Sequence, residues 1–259
     1  MVRWYLAGMM ALAGVGAARA TPVTELATNG SFQASSYTVN YEFSTRANTP
    51  TVGTPATTQG VTGWTGTGFA LYFIAGTQAT TGAITEFGDT ANYLRSNVTL
   101  SPNGGNFVAL DGDDLSGNGG TGTVPGATVS QTISGLTVGS QYDVSFDWAG
   151  AQLQNRSGKT TEQVGVQFGS AVQSTIVLHN VSGGFTGWLQ QSFRYTANAT
   201  SQLLTFISYG TPVGLPPLIL LDGVSVRAVV PAAVPEPASL AAMVAGLVGL
   251  GVLARHRRA

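Results

Sequence analysis

The stretch Gln141 to Trp148 sets Tyr142, Val144, Phe146 and Trp148 in strict alternation with Gln141, Asp143, Ser145 and Asp147. A period of two puts the apolar four on one face of a strand and the polar four on the other, which a helix cannot do. The rhythm returns at Gln163 to Phe168, through Val164, Val166 and Phe168, and at Leu189 to Thr196, through Leu189, Phe193 and Tyr195. Leu203 to Ile207 and Leu218 to Val226 are more continuously apolar, which predicts strands covered on both faces. Ala127 to Ile133, joined to 141–148 by the turn Gly135 to Ser140, is expected as its pairing neighbour. Val23 to Phe32 is expected to open the sheet, and short strands are expected at Ala70–Ile74 and Asn106–Leu110. Gly and Pro punctuate the chain throughout, in the manner of a sandwich or barrel. The expected fold is all-β, a two-sheet antiparallel β-sandwich of about nine or ten strands over residues 21–230.

The two ends fall outside that fold. Arg3, the apolar Trp4 to Val15 and the small-residue site Ala18-Arg19-Ala20 make residues 1–20 a secretory signal peptide. Residues 231–259 are a tail of another kind. Val234-Pro235-Glu236-Pro237 is followed by an uncharged run from Ala238 to Ala254 and then by Arg255-His256-Arg257-Arg258. As a helix, 238–254 would be about 25 Å long, slightly short of a hydrocarbon core of about 30 Å. The prolines stop it from extending backwards. The arginines would stay on the cytoplasmic side, so everything before the helix lies outside.

That order of parts resembles the PEP-CTERM sorting signal. The resemblance rests on Val234, Pro235, Glu236, Pro237, Arg255, Arg257 and Arg258. It implies recognition in the membrane by an exosortase, cleavage near Pro-Glu-Pro, and delivery to the cell surface or the extracellular polysaccharide (biofilm) matrix of a Gram-negative bacterium. A hydrophobic tail used as a removable address follows the logic of glycolipid-anchor signals.

Charge and cysteine bound the function further. Five of the eleven Lys and Arg lie in the two ends, but only one of the twelve Asp and Glu, so the mature part is about five charges negative. A charge-poor, mildly acidic chain does not suit nucleic acid. With no cysteine in an exported chain, the core must hold the domain, with or without a bound ion. Only His179 survives in the mature part, which excludes a zinc site built on several imidazoles or thiolates.

A second resemblance spans most of the mature chain. Asn29-Gly30-Ser31-Phe32, Gly63-Trp64, Asn106 to Gly112, Gln131 to Leu136 with Gly139, Tyr142 to Phe146, and Leu221 to Val226 are similar to successive signposts of galactose-binding-like jelly rolls. The chain has Gln33 where those relatives carry Glu. The resemblance implies a carbohydrate-binding jelly roll and a structural calcium shared by Asn29 and Asp222, with Glu25 as a further ligand.

Other candidates come from the residues themselves. Asp111, Asp113 and Asp114, with Asn118 behind them, crowd hard oxygen donors into a glycine-rich loop; this reads either as calcium or as a solvated acidic turn. Among aromatic residues in or beside loops (Trp64, Tyr72, Tyr93, Trp188, Tyr209), Trp64, Tyr93 and Trp188 are the candidate saccharide platforms, Trp64 first, with packing as the alternative. Paired carboxylates for glycoside hydrolysis could come only from Asp147 and the Asp111 cluster, and an enzyme is not expected. The expected function is a noncatalytic carbohydrate-binding module. The alternative is a structural or adhesive matrix protein without saccharide affinity.

Overall fold

The computed structural model describes residues 23–37, 40–42, 44–45, 60–75, 94–95, 97–113, 125–153, 156–215, 217–230 and 246–247. The expected signal peptide and nearly all of the tail lie outside them. Among the described residues no helix is long and apolar enough to cross a membrane, and of 238–254 only Gly246 and Leu247 are described, as helical.

Among the described residues there are thirteen strands: β1 (Tyr41–Glu42), β2 (Ser44–Thr45), β3 (Thr65–Thr67), β4 (Ala70–Phe73), β5 (Phe107–Asp111), β6 (Thr128–Ser134) and β7 (Gln141–Gln152), then β8 (Thr160–Phe168), β9 (Ala171–Ser174), β10 (Leu178–Asn180), β11 (Leu189–Thr196), β12 (Ser201–Thr211) and β13 (Pro217–Ala228). They form a six-stranded sheet in the order β1-β4-β5-β13-β7-β11 and a seven-stranded sheet in the order β10-β8-β12-β6-β3-β2, with β9 also on β8. Every pair is antiparallel except β2–β3. This is the two-sheet antiparallel sandwich expected.

The alternating positions behave as their period dictates. Tyr142, Val144, Phe146 and Trp148 of β7 face Val164, Val166 and Phe168 of β8 and Phe206 of β12 across the gap between the sheets. Aromatic edges interlock there, with Phe146 T-shaped on Phe206 at 5.0 Å and Phe168 on Tyr195 at 5.6 Å. Each such buried side chain contributes roughly 1.5–3 kcal/mol. A second cluster lies on the outer face of the six-stranded sheet, where Phe73, Phe107, Ala149, Leu218 and Leu220 are covered by Leu94, Val98 and Trp188. Strand β13 is therefore buried on both faces through Asp222, as its continuous apolar run predicts.

Three expectations are corrected. β6 does not pair with β7: the two lie in opposite sheets, and β6 pairs with β12 and β3. Alternation tells which side of a strand is apolar, not which strand lies beside it. The link between them, with Gly135 and Gly139 at φ +81° and +83°, arches over the core with Leu136 buried beneath. Val23 to Phe32 forms no strand; it runs beside β13 with one bridge, Glu25 to Arg227, and is held there by the Leu26 N–H on the Val226 carbonyl and the Val224 N–H on the Gly30 carbonyl. β12 is covered on one face only, with Leu203 left 51% exposed.

Candidate functional site

The uncovered face is the outer surface of the seven-stranded sheet. Along β12, Leu203, Thr205, Ile207 and Tyr209 point outward, because their even-numbered neighbours are buried. Register sets Leu203 beside Thr132, Thr205 between Ser130 and Gln167, Ile207 between Thr128 and Gly165, and Tyr209 beside Gln163. The Tyr209 ring lies down over Gly165, where a Cβ would stand 2.7 Å from the ring edge, so this contact needs glycine. The six steps from Leu203 to Tyr209 at the strand rise make a row of about 20 Å. At its Leu203 end a depression of about 460 Å³ opens between Thr65, Ser130, Thr132 and Leu203. None of these side chains is charged. The row thus offers an aliphatic and aromatic stripe flanked by hydroxyl and amide groups, which suits a neutral ligand that is itself part hydroxyl and part C–H.

Of the expected aromatic platforms, Trp64 is among the residues that line the depression, Trp188 packs on the outer face of the six-stranded sheet, and Tyr93 is not among the described residues. Trp64 is 6% exposed, its ring tilted against Phe32 at 5.2 Å and Phe206 at 6.3 Å, and its Nε1 donates to the Asn29 carbonyl. That ring belongs to the core cluster and also lines the depression. Tyr72, also read as lying in or beside a loop, is buried in β4, and its hydroxyl donates to the Phe32 carbonyl. Trp188 is half-buried, edge-on to Phe107 at 5.7 Å, with Nε1 donating to the Thr99 carbonyl. Tyr93 lies outside the described residues, as do Asp114, Asn118 and the sorting residues Val234, Pro235, Glu236, Pro237, Arg255, Arg257 and Arg258.

The carboxylates are tied locally. Asp111 accepts the Asp113 N–H, and Asp113 accepts the Gly214 N–H. Asn29, at φ +52°, spends its side chain on Ala34 and the Thr62 carbonyl, closing the Asn-Gly-Ser-Phe turn. Asp222 is wholly buried and accepts from Ser101 Oγ and the Gly223 N–H; burial pushes it up to about 6, with the Asp147 charge adding to the effect. Asn29 and Asp222 share no hydrogen-bond partner in this arrangement. Glu25, the third residue of that set, instead binds Ser225, Val226 and Arg227. Burial raises its pKa, but these donors and the Ala27 N–H together outweigh that and hold it below the usual value. Among the described residues no three His, Asp or Glu side chains converge as metal ligands. Asp147 faces Asp222 across β7 and β13, but it is bound by Asn103, and both oxygens of Asp222 are occupied.

Sequence reasoning singled out neither the β12 row nor Glu162. Tyr209 was legible as an aromatic beside a loop, but its flat seat depends on Gly165, forty-four positions away in the chain and diagonal to it across two strands.

Residues 233–258 match the PEP-CTERM protein-sorting motif. The tail is a PEP-CTERM signal. A chain with a PEP-CTERM tail is exported through a membrane-anchored intermediate, and the motif is the one an exosortase recognises. No curated protein matches the sequence. Among solved structures, the chain is similar to the xylan-binding CBM22-1 domain of Paenibacillus barcinonensis Xyn10C, at 14% identity over 77% of this chain and 99% of that one, with TM-score 0.33. It is also similar to a cyclase from Fischerella sp. TAU, at 13% identity over 82% of this chain and the whole of that one, with TM-score 0.47. A match to the sugar-binding EclA C-terminal domain, at 14% identity and TM-score 0.30, covers 38% of this chain and only 64% of that domain. At such identities and TM-scores these likenesses carry no argument about ligand or activity.

Proposed function

We propose that this is an exported, noncatalytic carbohydrate-binding protein of the cell surface or extracellular matrix, whose saccharide face is the outer surface of the seven-stranded sheet. The observation that carries the reading is the Tyr209 ring laid over Gly165 in an uncharged row of hydroxyls and amides. A pyranose has an apolar C–H face and a rim of hydroxyls; the first packs on Tyr209, Ile207 and Leu203, the second on Gln163, Gln167, Thr205 and Thr132. The absence of charge favours neutral polysaccharides over uronic-acid polymers. An exosortase acting at the Pro235-Glu236-Pro237 segment would release the protein to its destination.

Affinity electrophoresis against a panel of neutral polysaccharides tests this. At least one should retard the protein, and Tyr209→Ala should weaken that retardation about tenfold or more, the equivalent of 1.4 kcal/mol. Retardation by none, or equal retardation of the variant, refutes the reading. Fractionation of the host with and without its exosortase tests the destination.

A second reading, a structural matrix protein without saccharide affinity, is favoured by one observation. Along β9, β10 and their flanks Val172, Ile176, Val177 and Val181 are exposed, and positions 169–184 contain no Lys, Arg, Asp or Glu. Sheet edges left without charge are prone to pair with one another. Concentration-dependent self-association combined with failure to bind any polysaccharide would establish it.

A further inference from the structure

Glu162 is a buried carboxyl that the saccharide reading leaves unused. It points inward from β8, without exposure, at the end of the sandwich where β7, β8 and β10 meet. The surroundings are polar and closely bonded. Thr160 Oγ1 donates to Glu162 Oε1; the Gln152 amide donates to Thr160 and to the Gly158 carbonyl and accepts the Gly183 N–H; the Asn180 amide donates to the Gly184 carbonyl. Oε2 alone has no hydrogen-bond partner. It faces Gly150 of β7, where a Cβ would stand 2.8 Å away, beside the Thr186 methyl.

Among the described residues no charge compensates it. β7 presents Gly150 and Gln152, β10 presents Asn180, and β12 presents Gly210, all uncharged. Lys159, just before β8, and His179, on β10, are exposed. An ionised carboxylate here would keep a buried oxygen without a donor, whereas the neutral acid is tolerated. In keeping with that, burial pushes the Glu162 carboxyl up to about 7, against the smaller lowering by Thr160 and Asn180.

We propose that Glu162 is a proton-operated clasp: carrying its proton it closes the β7–β8–β10 end of the sandwich, and on losing it that end opens. The clasp lies beneath the β12 row. Thr161 and Gln163, on either side of Glu162, turn outward, and Glu162 is paired with Gly210, next to Tyr209. Opening therefore loosens the Tyr209 end of the face, so that binding would weaken above neutral pH. That last link rests on the saccharide reading; the clasp itself does not.

The sign follows from the raised carboxyl. The folded state holds the proton more tightly than the unfolded one, so the contribution to stability is whole below 4.5 and is lost as pH rises through about 7. The test is amide hydrogen exchange on the full chain in detergent from pH 5 to pH 8, corrected for intrinsic rates, with no saccharide present. In the wild type, protection over 150–165, 178–187 and 207–211 should fall about tenfold per pH unit up to about 7. In Glu162→Gln it should stay flat, while Asp222→Asn should keep the wild-type slope in these segments. A wild type without the slope, or a Glu162→Gln variant that retains it, overturns the clasp. Should Glu162→Gln fail to fold, the carboxyl carbon shift of Glu162 in the wild type decides instead: a proton still bound at pH 6 upholds the proposal, and ionisation complete at pH 5 overturns it.

Discussion

Replacing Trp64 by alanine separates a packing ring from a binding ring. The indole is almost wholly enclosed between Phe32 and Phe206, and its N–H is bonded to the Asn29 carbonyl. Truncating a buried tryptophan to alanine costs about 3–5 kcal/mol through lost transfer energy and the cavity left behind. In a domain of this size each kcal/mol moves the melting temperature by roughly 2–4 °C, so Trp64→Ala should melt about 6–20 °C lower. Trp64→Phe fills most of the space and loses only the N–H bond, at about 1 kcal/mol; the Asn29 carbonyl still accepts the Phe32 N–H at 3.0 Å. Calorimetry gives the melting shift, and affinity electrophoresis far below the transition gives the binding. Trp64→Ala should lose stability and, where still folded, keep its retardation. An unmoved melting curve with retardation abolished would show that the ring is a platform and that its burial was misread.

Gly30→Ala would put a Cβ 1.8 Å from the Val224 carbonyl oxygen; the backbone must shift, and urea unfolding should show a loss of about 1–3 kcal/mol. Glu25→Gln tests the clamp on β13. Because the donors around Glu25 hold its pKa low in the fold, its contribution is present above the unfolded value and lost as pH falls through the folded one. The variant should therefore be less stable at neutral pH and lose less on acidification, as melting between pH 3 and pH 7 would reveal. The calcium expectation at Asp111 and Asp113 is checked by melting with calcium and with chelator: a bound ion should raise the transition by several degrees, Asp111→Asn should abolish the difference, and identical curves for the wild type would end the idea.

The sequence was most legible where a residue's fate depends on its own strand. Trp148 is core because it shares a face with Phe146 and Val144, and that parity can be read along β7 alone. The double burial of β13 was equally plain in Leu218 to Leu221. What depends on two distant segments was not legible. Trp64 follows Gly63 and looks like a loop residue until Phe206 is brought against it. Leu203 looks buried by hydropathy, yet on β12, between β8 and β6, it sits on the outward face and is left 51% exposed. Glu162 gave no local hint either; only Gly150, on the opposite sheet, makes room for its second oxygen.

β13 runs through the middle of the six-stranded sheet and ends at Ala228, five residues before the sorting motif begins. While the tail is held in the membrane, any tug on it reaches the domain through this strand. β13 is held on both sides, by β7 along its length, by β5 at Leu218 to Leu221 and by Glu25, Leu26 and Gly30 further along, so it has no free margin from which to peel. The tether is thus rooted inside a sheet and not at its margin, so a pull on the membrane-held tail meets bonds on both flanks of the strand first.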